Sequence, residues 1–376
     1  MKSFFPLAIS LSAAALSAQT INVIPDGYAK KEGTGYQWAF SKYGPSRCQI
    51  LFNKSIIKTA PRVVSKMSFR KDGAYVSTTP APAHSFITTV SIASSGVPDA
   101  DQSAWLFSLN RGKNFTTVMS KATVNWPKVV MDGKTQPASF VVTWTFTRPV
   151  VLTGGNLLIE IDTNTSNGLY TFYHPWYVDA VNLTPAGGTN GTIAFDATRI
   201  GCNGTNRSYP SFYASPATYS ARPGALMRAY MWRISMKATA AIGFLGTQLT
   251  KSVDLSPLGM TGCKLHILPF LMLPMKLGNP NGTSYMRAYG HVPIPNQTSL
   301  AGAKFQMQAL VVDPGANRAN MIMSNMSTTT LGSALPSTGY RRGMMFYSYG
   351  SDQNAKVLTW DHARYYTTFV PVIRLN

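Results

Sequence analysis

The carboxylates are few enough to weigh one by one. Of 14 acidic residues, only Glu32 and Glu160 are glutamates. A glycosidase needs two carboxyl groups facing each other across a cleft. The close pairs in sequence are Asp99 with Asp101 and Glu160 with Asp162. On a β-strand Glu160 and Asp162 share a face, where they could converge on a sugar or a cation. The competing reading is a solvated strand face at a turn. The run from Asp162 to Gly168 starts like a calcium loop, with alternating oxygen side chains, but Tyr173 stands where an EF-hand requires its bidentate glutamate. The histidines, His84, His174, His266, His291 and His362, form no HExxH or other ligand spacing. His266 lies in an apolar run and reads as a satisfied or edge histidine. A Ser/His/Asp triad draws on distant positions and stays open, but there is no GxSxG elbow and no glycine-rich phosphate loop. No cofactor is implied, and the chain reads more readily as a non-catalytic protein than as an enzyme.

Three cysteines, Cys48, Cys202 and Cys263, allow three pairings or none. Cys202–Cys263 is favoured, because both lie in glycine-bearing loops; such a bridge would tie a domain junction to a second domain. No cysteine or histidine cluster has zinc spacing.

The charge points outward, to a partner. The 34 Lys and Arg residues against 14 Asp and Glu give +20, although only 13% of residues are charged and 45% are apolar. That balance excludes a disordered basic tail, and the field favours polyanions. Basic residues recur beside aromatic ones. Arg111 and Lys113 lie near Phe115, Arg207 near Tyr209, Arg341 and Arg342 near Phe346, Tyr347 and Tyr349, and Arg364 beside Tyr365 and Tyr366. Aromatic faces can stack on sugars while guanidinium groups pair with sulfate, carboxylate or phosphate. The expected binding residues are therefore Arg111, Lys113, Arg207, Tyr209, Arg341, Arg342, Tyr347, Arg364 and Tyr365. The competing reading is a uniformly basic surface with no discrete site. No nucleic-acid-binding motif occurs.

The elements that must position these groups read as β. Phe140, Val142, Trp144 and Phe146 alternate with Val141, Thr143, Thr145 and Thr147, as do Leu157, Ile159 and Ile161 with Leu158, Glu160 and Asp162. Turn signals such as Lys71-Asp72-Gly73 and Asp132-Gly133-Lys134 separate the runs. The expected fold is all-β: an antiparallel jelly roll or β-sandwich over 19–236, a second, smaller β-sandwich over 237–335, and a β-rich extension over 336–376. Tyr230 to Met236 is expected to close the first domain, and the sheet joined by the extension is left open. Lys2 and the apolar run Phe4 to Leu16, followed by small residues, read as an export signal over 1–18. No later run reaches the ~18 apolar residues of a membrane-spanning helix.

Several elements resemble a known family. Leu258-Gly259-Met260-Thr261-Gly262-Cys263 is similar to the LGMPGC element of a C-terminal β-domain found in large exported proteins of planctomycete-type bacteria, with Thr261 in place of the usual proline. Gly201-Cys202-Asn203-Gly204-Thr205 resembles the GCxGS element that precedes that domain, and Ile294-Pro295-Asn296 its IPN segment. Asp313-Pro314-Gly315-Ala316-Asn317 resembles its DPGAN ending. The resemblance implies a surface or export-associated β-sandwich without assigned catalytic residues, and it supports the Cys202–Cys263 pairing. Leu335-Pro336-Ser337-Thr338-Gly339 spells a sortase signal but lacks the hydrophobic segment that should follow. The sequons at Asn114, Asn190 and Asn203 imply exposed loops. The sequence thus predicts a secreted or cell-surface protein that binds acidic polysaccharide or another extracellular polyanion. Self-assembly into an extracellular structure, or polysaccharide hydrolysis, are the alternatives.

Overall fold

The computed structural model describes residues 22–38, 45–57, 62–100, 103, 106–165, 176–183, 191–212, 221–278, 285–334, 342–349, 365–367 and 369–376. The expected export signal, the LPSTG run, Asn190, Arg341 and Arg364 lie outside the described residues.

The chain is all-β, and among the described residues every strand pair is antiparallel. Nine strands come first: β1 (Asn22–Ile24), β2 (Gly35–Trp38), β3 (Ser46–Phe52), β4 (Arg62–Arg70), β5 (His84–Ala93), β6 (Thr116–Trp126), β7 (Phe140–Leu152), β8 (Leu157–Thr165) and β9 (Tyr177–Asn182). Nine more follow: β10 (Thr192–Phe195), β11 (Ser211–Phe212), β12 (Leu226–Ile234), β13 (Ala240–Asp254), β14 (Lys264–Gly278), β15 (Met286–Pro293), β16 (Lys304–Val312), β17 (Met321–Met323) and β18 (Ser327–Thr330). The chain ends with β19 (Gly343–Tyr349), β20 (Tyr365–Thr367), β21 (Phe369–Pro371) and β22 (Ile373–Leu375).

The first nine strands and the last four build one unit. Its sheets run β1-β22-β4-β7, β20-β19-β3-β8-β5-β6 and β2-β9-β21 around a shared core. The alternation of β7 explains its place: Val142, Trp144 and Phe146 are buried, while Val141, Thr143 and Thr145 face outward. Burying each such side chain contributes roughly 1.5–3 kcal/mol. Trp144 meets Phe69 edge-on, and Trp126 packs edge-on against Trp176. The Trp176 indole donates to the Pro127 carbonyl at 3.0 Å, so its polar atom is satisfied inside the core. β8 is buried on both faces. Leu157, Ile159 and Ile161 enter the main core, and Leu158 joins a smaller cluster with Leu51, Phe107, Met344 and Phe346.

Residues 191–334 form a second unit, inserted within the first. Its sheet runs β10-β18-β16-β13-β14-β15-β12-β11, with β17 beside β16. Two contacts near the ends draw the sheet toward closure: the Asn325 amide donates to the Pro210 carbonyl at 3.2 Å, and the Phe212 amide donates to Asn325 Oδ1 at 3.0 Å. One expectation changes here, and one point left open is decided. β12 does not close the first unit; it pairs with β15, because Met227, Ala229, Met231 and Ile234 face the second core. The extension returns to the first unit, where β19 pairs with β3 and β22 lies between β1 and β4.

The elements that carry the family resemblance interlock in the second unit. Cys202 and Cys263 form a disulfide inside its core rather than at a junction between units. Buried Asp313 accepts the Thr205 amide at 2.8 Å and its hydroxyl at 2.9 Å. The Gly259 carbonyl accepts the Ala319 amide at 3.2 Å. Gly259 and Gly315 take the left-handed backbone, with φ of 81° and 87°, that turns of this tightness require. These residues hold loops together and expose no reactive group.

Candidate binding site

Glu160 and Asp162 share a face of β8, as their spacing predicts, yet neither carboxylate is free: Glu160 is buried, and the half-buried Asp162 is paired. β8 pairs with β3, which sets Gln49 opposite Glu160 and Arg47 opposite Asp162. Glu160 is 3% exposed and receives Arg111 through a fork, Nη2 to Oε1 at 2.6 Å and Nε to Oε2 at 3.0 Å. Gln49 Nε2 donates to the same carboxylate at 2.6 Å, and Asn110 donates to Gln49 Oε1 at 2.9 Å. Arg47 Nε donates to Asp162 Oδ1 at 2.6 Å. Burial still pushes the Asp162 carboxyl above its ordinary range, against the pull of Arg47. Both carboxylates are paired with protein partners, and no cleft separates them as a glycosidase pair requires. The calcium reading meets the same obstacle, since its first ligand would be Asp162; residues 166–168 and Tyr173 lie outside the described residues.

A second carboxylate group gathers without sequence proximity. Glu32, Asp72 and Asp179 bring oxygens within 4.8 Å of one another. Arg70 stands where a cation would: its Nε donates to Asp179 Oδ2 at 2.7 Å, and the Gly33 amide donates to Asp179 Oδ1 at 2.9 Å. Asp72 Oδ1 accepts the Ala74 and Tyr75 amides, at 2.9 and 2.8 Å. Burial raises all three carboxyls, Asp179 to about 7. The group is held by backbone amides and, at Asp179, by one guanidinium.

His266 is buried and satisfied. Its Nδ1 lies 2.7 Å from Ser252 Oγ, and its Nε2 lies 3.3 Å from the Ile200 carbonyl rather than a carboxylate. Cys48 is a buried free thiol that burial holds well above its ordinary range. Asn114 is half-buried, its Oδ1 accepting the Ser94 and Ser95 amides at 2.9 and 3.0 Å, so this sequon is not an exposed loop.

The expected binding residues scatter. Arg111 is committed to Glu160, while Lys113 is exposed. Arg342 is half-buried, its amide and carbonyl hydrogen-bonding to Leu183 and Asn53. Phe346 is buried, and Tyr347 packs against the main core. The backbone of Tyr365 pairs with Tyr347 in β20. Arg207 and Tyr209 lead to a cavity.

That cavity, of about 390 Å³, lies beside β10, β11 and β12. A bulge in β12 builds one wall. Met231 pairs with Ala288 and Ile234 with Met286, so Trp232 and Arg233 together oppose the single residue Arg287. Arg233 has φ of 60°, a left-handed backbone that costs a non-glycine residue about 1 kcal/mol. Asn206 Nδ2 donates to the Arg233 carbonyl at 3.2 Å, and neighbouring Arg207 is itself left-handed, with φ of 58°. Strained backbone of this kind gathers at functional sites. The bulge sets the Arg233 guanidinium 4.5 Å from the Trp232 ring centre, and both residues line the cavity. Tyr209 and the 59%-exposed Phe195 add aromatic surface, and Asp196 and Asn325 add polar edges. Asp196 accepts the Thr198 amide and hydroxyl, which hold its carboxyl below the ordinary range and therefore ionised.

Beyond Trp232 the same face of β12 continues with Tyr230 and Arg228, across from Tyr289 and His291 of β15. The Arg228 guanidinium lies 4.7 and 4.8 Å from the Tyr230 and Tyr289 ring centres, and those rings stack at 5.2 Å. Burial and Arg228 push His291 down to about 4, and burial pushes Tyr230 up to about 12. The charge of this face is therefore constant across neutral pH. Residues 191–334 carry twelve Lys or Arg and only three Asp.

Of these groups, sequence reasoning named Tyr209 and Arg207 and missed Trp232, Arg233, Phe195 and Asn325. The adjacent Trp232-Arg233 pair was the available signal, but it read as part of a closing strand. Comparison with family models, curated proteins and solved structures finds no match to the chain.

Proposed function

We propose that the protein is an exported, non-catalytic binder of anionic polysaccharide, and that the cavity at Trp232 is where it holds the chain. One observation carries the reading: a strained bulge places an indole and a guanidinium side by side in a cavity wall, with Tyr209, Phe195 and an ionised Asp196 around it. A sugar ring stacks on the indole, Asp196 takes hydroxyl hydrogen bonds, and Arg233 pairs with a carboxylate or sulfate. Asp196 favours a hydroxyl-rich ligand over a bare polyanion, which it would repel. Resemblance to exported planctomycete-type β-domains supports the location. The test is binding of the mature protein to an array of uronic-acid and sulfated glycans at two salt concentrations. Binding through a shaped pocket survives the higher salt, whereas attraction by the field alone does not. Trp232→Ala is expected to weaken binding about tenfold, or about 1.4 kcal/mol; unchanged binding by this variant would remove the pocket from the account.

A further inference from the structure

The first unit carries a second cavity, of about 400 Å³, whose lining includes Lys30, Ala138, Ser139, Phe140 and Arg374. The residues that form it include two cations and no carboxylate. Arg374 reaches it by strand alternation: Ile373 and Leu375 enter the core, so Arg374 between them projects from the opposite face of the sheet. β1 and β4 flank it, with Val23 and Ser68 as its register partners. Its guanidinium lies 4.9 Å from the Phe140 ring centre, which limits its orientation. Its Nε is shielded from solvent and has no hydrogen-bond partner. Burying such a donor without an acceptor is unfavourable, and an oxyanion is the acceptor a guanidinium prefers. Lys30 and Ser139 are exposed at the rim, where an ammonium and a hydroxyl can meet further oxygens.

We propose that this cavity is a second oxyanion pocket, that it takes a carboxylate or sulfate group, and that with the Trp232 cavity it makes the chain bivalent toward one anionic polysaccharide. The oxyanion assignment stands on the first unit alone, while the bivalent part rests on the reading of the Trp232 site. Linking two sites makes the second contact intramolecular, so the polymer binds more tightly than to either site alone.

The experiment uses the mature full-length protein and three variants, Arg374→Gln, Lys30→Gln and Trp232→Ala. Melting temperature is followed in sodium sulfate and in sodium glucuronate against sodium chloride of equal ionic strength, which separates the two oxyanions. Affinity for dextran sulfate and for polygalacturonate is then measured. The expected result is a rise in melting temperature with one or both oxyanions in the unmodified protein and in Trp232→Ala, reduced in Arg374→Gln and Lys30→Gln. Arg374→Gln is also expected to weaken polymer binding about tenfold. Equal oxyanion response and equal polymer affinity in Arg374→Gln, Lys30→Gln and the unmodified protein would overturn the proposal. Loss of polymer affinity in Arg374→Gln with none in Trp232→Ala would overturn the bivalent part and the Trp232 reading, while leaving the oxyanion pocket standing. Lys30 is exposed, so its variant keeps the test decisive even where Arg374→Gln fails to fold.

Discussion

Glu160 shows how one residue's partners decide between chemistry and structure. From the sequence it was half of a possible catalytic pair, because alternation puts it on one face with Asp162. That face is visible in sequence; the partners are not, since Gln49 and Arg111 arrive from 111 and 49 positions away. Removing the carboxylate takes the paired anion from the Arg111 guanidinium and one of two acceptors from the Gln49 amide, whose bond to the Phe107 carbonyl remains. Glu160→Ala is therefore expected to lower stability by about 2–4 kcal/mol, read by urea denaturation. An undiminished midpoint would show that the network is not holding the sheet to its covering segment. The Asp179 group yields a pH dependence. Its folded carboxyl sits near 7 against an ordinary 3.8, and burial raises Glu32 and Asp72 in the same direction. A raised acid stabilises fully below its unfolded value, and the contribution is lost as pH rises through the folded value. The exposed carboxyls held low, Asp132, Asp196 and Asp254, act in the opposite sense but below pH 4, outside this window. His84, His266 and His291, which burial holds below their ordinary value, oppose the Asp179 contribution inside the window, so that contribution is read by difference: the melting temperature of the unmodified protein minus that of Asp179→Asn is expected to fall by several degrees between about pH 4.5 and 7.5. Parallel profiles for the two proteins would contradict the assignment.

Strands were legible in proportion to their length and one-sidedness. β7 announced itself through the alternation of Phe140 to Thr147 within its 13 residues, whereas β20, β21 and β22 have three residues each, too few for a period to emerge. The bulge of β12 was invisible for another reason. A left-handed backbone is usually written as glycine or asparagine, and here it is written as Arg233. β14 shows the limit of reading burial from hydrophobicity. Its run Leu268 to Met272 is apolar throughout, yet Leu268, Phe270 and Met272 are 62%, 64% and 68% exposed, while Ile267 is fully buried. β13 pairs with Pro269 through Gly246 and with Leu271 through Leu245, so Phe270 is the extra residue of a bulge. Position in the ladder, rather than side-chain type, then sets the cost of truncation. Ile267→Ala should cost about 2–4 kcal/mol, and Phe270→Ser under about 0.5 kcal/mol. Comparable losses for the two, measured by chemical denaturation, would mean that Phe270 is covered.

At the scale of the molecule, the sequence suggested domains laid end to end, because a reader meets residues in order. The structure instead inserts one unit into another, and the insertion point explains how both can be complete. The Arg342 amide donates to the Leu183 carbonyl at 3.2 Å, so the chain re-enters the first unit where it left. Gly343 then continues directly into β19 beside β3. The inserted unit is closed in the same manner, with Thr192 opposite Thr330 and the Gly191 and Gly332 amides both donating to the Ala221 carbonyl, at 2.8 and 2.9 Å. Each unit also has its own buried cluster, and the disulfide lies wholly within the second. Sequence periodicity could not reveal this, because the pairing of β1 with β22 spans nearly the whole chain and leaves no local trace. When the two ends of an insertion lie within hydrogen-bonding reach, joining them strains nothing, and the loop-closure cost of the host becomes smaller. Replacing residues 184–341 by a linker of about four glycines and serines should therefore leave the first unit cooperatively folded, with the near-ultraviolet signal of its Trp126, Trp144 and Trp176 cluster intact. The same excision removes the Trp232 cavity and keeps the Arg374 pocket. A shortened chain that melts without cooperativity would show that the first core depends on the inserted unit and that the two are not separable bodies.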